Sequence, residues 1–187
     1  MARIKPLDPT DAQPDVLAAL GRLPPLAIFP TVANAQGAFV NWLRFGGDCL
    51  DGRHFDAVLR ELAILQVAHM TPGANYEWVQ HVPILKAVGG NDEQVAAIHS
   101  GDRGAEALGE DGRLVVRFTE QVVRDATPDD ETFAAMSARF SPAEITHLLL
   151  VIGQYMMVAR VMATAQLEVD AVLGDDVLAG VQRSRRD

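Results

Sequence analysis

From Thr31 onward the apolar positions of this chain recur every three to four residues, and nowhere do they alternate with the period of two that marks a half-buried strand. The pattern predicts an all-α protein. Before it, Pro6, Pro9, Pro14, Pro24, Pro25 and Pro30 break the chain into an arm, 1–30, with one short helix over about 15–22. Helices are then expected over about 31–49, after which Asp51-Gly52 interrupts, over about 55–69, and from the Thr71-Pro72-Gly73 break to Gly89-Gly90. Asn91, followed three residues later by Gln94, starts a short helix with a capping pair. Residues 101–112 read as loop, and 113–125 as helix. Thr127-Pro128-Asp129-Asp130 offers a cap, a proline for the first helical position and acids for the first turn. Ser141-Pro142-Ala143-Glu144 is a capping box whose helix is expected to reach about residue 170.

Two of these segments stand apart. The stretch 55–69 is apolar on nearly every side, as in a helix buried all round. The stretch 145–163 is nearly long enough to span a bilayer, but Thr146, His147, Gln154 and Arg160 interrupt it, so it reads as a buried core helix. No low-complexity linker divides the chain. The organisation expected is the arm, a single domain over 31–175, and a basic tail over 176–187 that ends in Arg183-Ser184-Arg185-Arg186.

Composition narrows the function classes. Acidic residues outnumber basic ones 25 to 16, for a formal charge of -9, which disfavours binding to phosphate backbones or anionic lipid. The expectation is a protein with no nucleic-acid and no membrane partner. The single cysteine, Cys49, excludes an internal disulfide and any Cys-rich zinc site, and reads as a small buried hydrophobe. The first fourteen residues hold no apolar run of the signal-peptide kind, so a cytoplasmic location is expected.

Candidate chemistry gathers on the helix after Gly73. Ala74, Trp78, His81, Leu85 and Val88 fall on one stripe of a helical wheel, with His81 at its centre. Glu77, one turn earlier, is placed to meet it. A carboxylate beside a half-buried imidazole fixes its tautomer and suits it to proton transfer near neutral pH; the alternative is a satisfied structural pair. Glu61 is the second candidate. Its neighbours in the apolar helix leave little room for water, so it needs a partner or keeps its proton. His81 is one such partner, and Arg60, on a solvated sliver of the helix, is the other. His69, Glu77 and His81 could hold a metal in principle, but their spacing matches no common zinc pattern and HExxH is absent, so no metal is expected. His147 reads as a core or interface histidine. No G-x-S-x-G and no Gly-rich phosphate loop after a strand occur, which argues against serine hydrolysis and nucleotide cofactors.

The run Leu59-Arg60-Glu61-Leu62-Ala63-Ile64-Leu65-Gln66-Val67-Ala68, then Tyr76-Glu77-Trp78 with His81, then Gly89 before Asp92-Glu93-Gln94-Val95, resembles the carboxymuconolactone decarboxylase-like family. The resemblance covers about residues 26–173 and implies an AhpD-like (alkylhydroperoxidase D-like) helical bundle that forms a homo-oligomer, a trimer or hexamer. It further implies a cofactor-free enzyme of the carboxy-lyase kind acting on a small carboxylated lactone or carbonyl compound. In this setting His81 is the general acid/base, Glu77 its orienter and Glu61 a second acid/base or relay. Tyr76 and Trp78 would wall the pocket, with His69, Tyr155 and Arg160 as further substrate contacts and Arg160 as the anion partner. The family's peroxidase branch carries C-x-x-C four residues before the motif histidine, and here those positions are Ala74 and Glu77. A thiol-dependent peroxidase is therefore disfavoured. A non-catalytic helical ligand-binding oligomer is the remaining alternative. The chain departs from its relatives in having Tyr155-Met156 where many read Y-N, and in a Glu61-to-His81 interval about one residue longer.

Overall fold

The computed structural model describes residues 2–73 and 75–168, and among them every regular element is helical. The α-helices are α1 (Pro14–Leu20), α2 (Ile28–Val32), α3 (Gln36–Cys49), α4 (Ala57–Met70), α5 (Asn75–Ala87), α6 (Asp92–Ser100), α7 (Gly109–Asp125), α8 (Asp130–Arg139) and α9 (Pro142–Ala165). The hub is α4, which packs against α5, α6, α7 and α9. Its residues 60–68 are all buried, so no face is left for solvent and the even spread of apolar residues around the wheel is explained. Asp56 caps it by accepting from the Leu59 N–H at 2.9 Å. It stops at Thr71, held extended in front of Pro72.

The turn from α5 to α6 shows why the glycines stand where they do. Gly89 takes φ +108°, and the Gly90 N–H then donates to the Leu85 carbonyl at 2.8 Å, closing the helix end. A Cβ on Gly90 would lie 2.4 Å from Leu85 Cδ1, so a side chain cannot be seated there without moving a core leucine. Asn91 and Gln94 then form both halves of the expected capping box, at 2.9 and 3.1 Å.

Several boundaries differ from the sequence reading. The helix expected over 31–49 is two, α2 and α3, with a turn between them. Asn34 causes the break: its side-chain amide donates to the Thr31 carbonyl at 3.0 Å and to the Lys5 carbonyl at 2.9 Å. Such bonds compete with a helical ladder. The cap of α8 is Asp129, which accepts from the Thr132 N–H at 2.7 Å, so Pro128 lies ahead of the helix rather than in its first turn. Part of the loop expected over 101–112 is a 3-10 turn, Glu106–Leu108, leading straight into α7. Finally, α9 ends at Ala165 because Gln166 adopts φ +50° and its N–H turns back to Ala163 and Met162. Residue 170, the expected end, and the basic tail lie outside the described residues.

Two other findings position the site. Within 1–30, Val16, Ala19, Leu26, Ile28 and Phe29 are buried in the main core. The α9 helix buries only one face. Ile145, Leu148, Ile152, Tyr155, Ala159 and Met162 pack inward, while Leu149, Leu150 and Met157 are exposed. It is long and apolar enough to meet the compositional test for a membrane span, with less than half of that stretch buried.

Candidate functional site

The core of the site is a chain of buried charges built by two adjacent helices. Neighbours along α4, Arg60 and Glu61 are both fully buried, and the guanidinium reaches one carboxylate oxygen through Nε at 2.9 Å and Nη2 at 2.8 Å. Arg60 also donates from Nη1 to the Leu50 carbonyl at 3.0 Å. The second oxygen of Glu61 meets His81 Nδ1 at 2.7 Å. Burial alone would raise the Glu61 pKa, but His81 and Arg60 outweigh it and hold the carboxyl below its ordinary value. An ionised carboxylate only accepts, so Nδ1 is the donating nitrogen. In the neutral imidazole the lone pair therefore sits on Nε2. The ring meets Tyr155 in a T-shaped contact, with centroids 4.7 Å apart and planes at 88°.

Glu77 is placed differently. It is buried, 2% exposed, yet neither carboxylate oxygen has a hydrogen-bond partner. Desolvation, opposed only by its own backbone amide, pushes its pKa up to about 7. The sequence reading paired Glu77 with His81; the structure gives His81 to Glu61 and leaves Glu77 open. Helix geometry explains the outcome. Residues four apart share a face, but Glu61 reaches the imidazole nitrogen from the facing helix, which the i-4 side chain on the same helix does not do here.

Glu77 and His81 line a cavity of about 80 Å³. One buried water needs roughly 10–15 Å³ in the same measure, so the space suits a compact organic molecule. Its polar lining is completed by Tyr76, Gln80, Gln154 and Tyr155. The walls are apolar: Leu26, Ile28 and Phe29 from the N-terminal stretch, Trp42, Leu43 and Leu50 from α3 and its end, and Val158 from α9. Gly46 lets α3 come close, since a Cβ there would stand 3.4 Å from Gln154 Nε2. The Gln154 Oε1 is itself buried without a partner.

Of the other residues singled out from sequence, Tyr76 and Tyr155 line this cavity and three do not. Trp78 sits half-buried on the flank of α5, its ring tilted against His99 at 5.4 Å. The buried face of α5 is Tyr76, Glu77, Gln80, His81, Ile84 and Leu85 rather than the stripe through Trp78, because the helix lies in the angle between α4 and α9. Ala74 lies outside the described residues. His69 is exposed near the end of α4. Arg160 is exposed and donates to the Met156 carbonyl of its own helix at 2.6 Å, so it is no anion partner for this cavity. The Arg60–Glu61 pair is buried, not on a solvated sliver, because α4 has no exposed face at that level.

Gln80, Gln154 and the residues 26–29 were not picked out from sequence. Gln80 stands three residues after Glu77, on the same face, and Gln154 is a lone amide in an otherwise apolar run. Both are signals of a polar lining. Nothing local marks 26–29. His147 is half-buried beside His54, ring centroids 5.5 Å apart, away from the cavity. Cys49 is buried, and burial, joined by Asp48, raises its thiol pKa to about 12. Among the described residues no three His, Cys, Asp or Glu side chains gather as a metal site. Comparison with family models, curated proteins and solved structures found no match to this chain.

Proposed function

We propose that this protein is a cofactor-free proton-transfer enzyme of the carboxymuconolactone decarboxylase-like kind, with an AhpD-like bundle, acting on a small carboxylated lactone or carbonyl compound. The observation that carries this reading is the pairing, in one cavity, of an open carboxyl with an imidazole whose other nitrogen is tied down. Glu77 holds its proton up to about neutral pH, and Glu61 directs the lone pair of a neutral His81 to Nε2. Nε2 would take a proton from the carbon next to the carbonyl. The C–H electron pair moves into the new C=C bond and the carbonyl π pair onto oxygen, which the Glu77 carboxyl protonates to give the enol. In a β,γ-unsaturated compound His81 then gives its proton to the γ carbon while the enol O–H returns its proton to Glu77 and the carbonyl re-forms, which completes an isomerisation. Where the carbon next to the carbonyl bears a carboxylate instead of that hydrogen, the C–CO2 bond breaks, CO2 leaves and its electron pair feeds the same carbonyl.

The peroxidase reading has less support. The positions of its thiols hold Ala74 and Glu77, and the one cysteine is buried with a thiol that stays protonated. For assembly, we propose a homo-oligomer, trimer or hexamer, on the support of the exposed Leu149, Leu150 and Met157 along α9.

The test is exchange. The protein is incubated in deuterated water with a panel of small enones, ketones and butenolides, and deuterium entering next to the carbonyl is followed by NMR. Exchange above the buffer rate that His81→Ala abolishes is the expected result. A panel in which wild type and His81→Ala exchange equally would remove the proposal.

A further inference from the structure

The cavity also constrains the charge of what enters it. Among the described residues lining it there is no lysine or arginine. The buried Arg60 is committed to Glu61 and to the Leu50 carbonyl, and Arg160 is exposed and bonded to its own helix. A ligand carboxylate placed there would lose its water and meet no lysine or arginine, and any positive charge on His81 is already balanced by Glu61, so the ligand's charge would be buried at high cost. It would also stand beside Glu77, a second acid in the same apolar space. An uncharged carbonyl oxygen meets the opposite situation, since the Glu77 carboxyl has a proton to give and no other partner for it.

We infer that the cavity selects an uncharged, compact carbonyl compound, held by a hydrogen bond from the protonated Glu77 carboxyl to the ligand's carbonyl oxygen. This deepens the reading above and rests on its placing of the reaction in this cavity; of the carboxylated and uncharged substrates open to the family, it assigns the uncharged class. The other titratable groups that line the cavity are His81, on the same helix, and Tyr76 and Tyr155. Behind His81 stands the Arg60–Glu61 pair of α4. Neither α3 nor the stretch 26–29 contributes a titratable group to the lining.

The test uses methyl levulinate and levulinate, the same ketone without and with a charge, and reads the indole N–H signals of Trp42 and Trp78 by NMR. Trp42 lines the cavity and Trp78 does not, so the two signals report where binding occurs. Methyl levulinate should shift Trp42 and not Trp78, and levulinate should bind at least about tenfold more weakly. Between about pH 6 and about pH 8 the ester's affinity should fall roughly tenfold as Glu77 loses its proton. Glu77→Gln, which keeps a donor of the same shape, should bind the ester without that fall. Levulinate binding as tightly as the ester, no Trp42 shift at millimolar ester, or a pH dependence that survives in Glu77→Gln would each overturn the inference. Ester binding of the expected kind without deuterium exchange would leave it standing while removing the proton-transfer proposal. Exchange with a preference for levulinate would do the reverse.

Discussion

Glu61 and Glu77 lie on neighbouring helices, are buried to almost the same extent and share a histidine's surroundings, yet they have opposite protonation habits. Glu61 has every oxygen engaged, one by Arg60 and one by His81, and is held as a carboxylate. Glu77 has neither oxygen engaged and is held as an acid. Burial pushes both in the same direction, so the difference lies wholly in partners. A carboxyl with both oxygens engaged stays ionised and fixes the orientation of the imidazole it accepts from. A carboxyl with none is a proton source waiting for an acceptor.

The largest expected effect separates these roles by turnover. With a substrate found by exchange, His81→Ala should lower the rate by roughly 10²–10⁴-fold, the usual consequence of losing an acid/base group. Its melting temperature should fall as well, since Glu61 is left with one partner, so rates must be taken per folded protein. Next comes stability at Glu61. Glu61→Ala leaves the Arg60 guanidinium buried with only a carbonyl for company, and should cost about 3–5 kcal/mol in denaturant unfolding at neutral pH. A loss below about 1 kcal/mol would mean that the charges are not a desolvated network.

Glu77→Gln should act in the other direction, by an amount that grows as pH rises above the ordinary carboxylate value. Below the ordinary value of 4.5 the unfolded and folded chains both hold the proton, and the group contributes nothing. As pH rises from there to about 7, the unfolded chain releases the proton and the folded one keeps it, so stability falls. Above that the wild type carries a penalty of roughly 3 kcal/mol, which Glu77→Gln should remove, leaving the two proteins alike in acid. Glu61 bends the curve oppositely, because its stabilisation is present above the ordinary carboxylate range and is lost as pH falls through its lowered pKa. Parallel wild-type and Glu77→Gln stabilities across pH would contradict the assignment of Glu77 as a proton-holding acid. The smallest effect belongs to Arg160, outside both environments: Arg160→Ala should change stability by less than about 0.5 kcal/mol and leave turnover unchanged.

What could be read beforehand follows from how local each cause is. The Ser141–Glu144 and Asn91–Gln94 boxes, the stop at Thr71-Pro72 and the all-round burial of α4 depend on neighbours within one or two turns, and the sequence pattern displays them. The division of α2 from α3 depends on Asn34 reaching Lys5, a contact between segments that periodicity cannot register. The site behaves likewise. The wheel placed His81 on an inward face and marked Glu61 as needing a partner, with His81 among the candidates. It could not decide that Glu61 rather than Glu77 takes the imidazole nitrogen, since that depends on the approach of one helix to another. The exposure of Arg160 was hidden for the same reason, because α9 is apolar on both its inward and outward faces.

The walls of the cavity also carry a history. Residues 26–29 and α9 both line it, and the backbone of Arg3 donates to the Ala165 carbonyl at the far end of that helix at 2.7 Å. The described chain thus meets itself almost head to tail. Such closures join segments of the greatest sequence separation, and a folding chain reaches them last, after the local helices and their nearest pairings have formed. During synthesis the N-terminal wall emerges long before the helix it faces, so Leu26, Ile28 and Phe29 must wait with their apolar surface uncovered. Closure of the cavity and completed folding should therefore appear together in time.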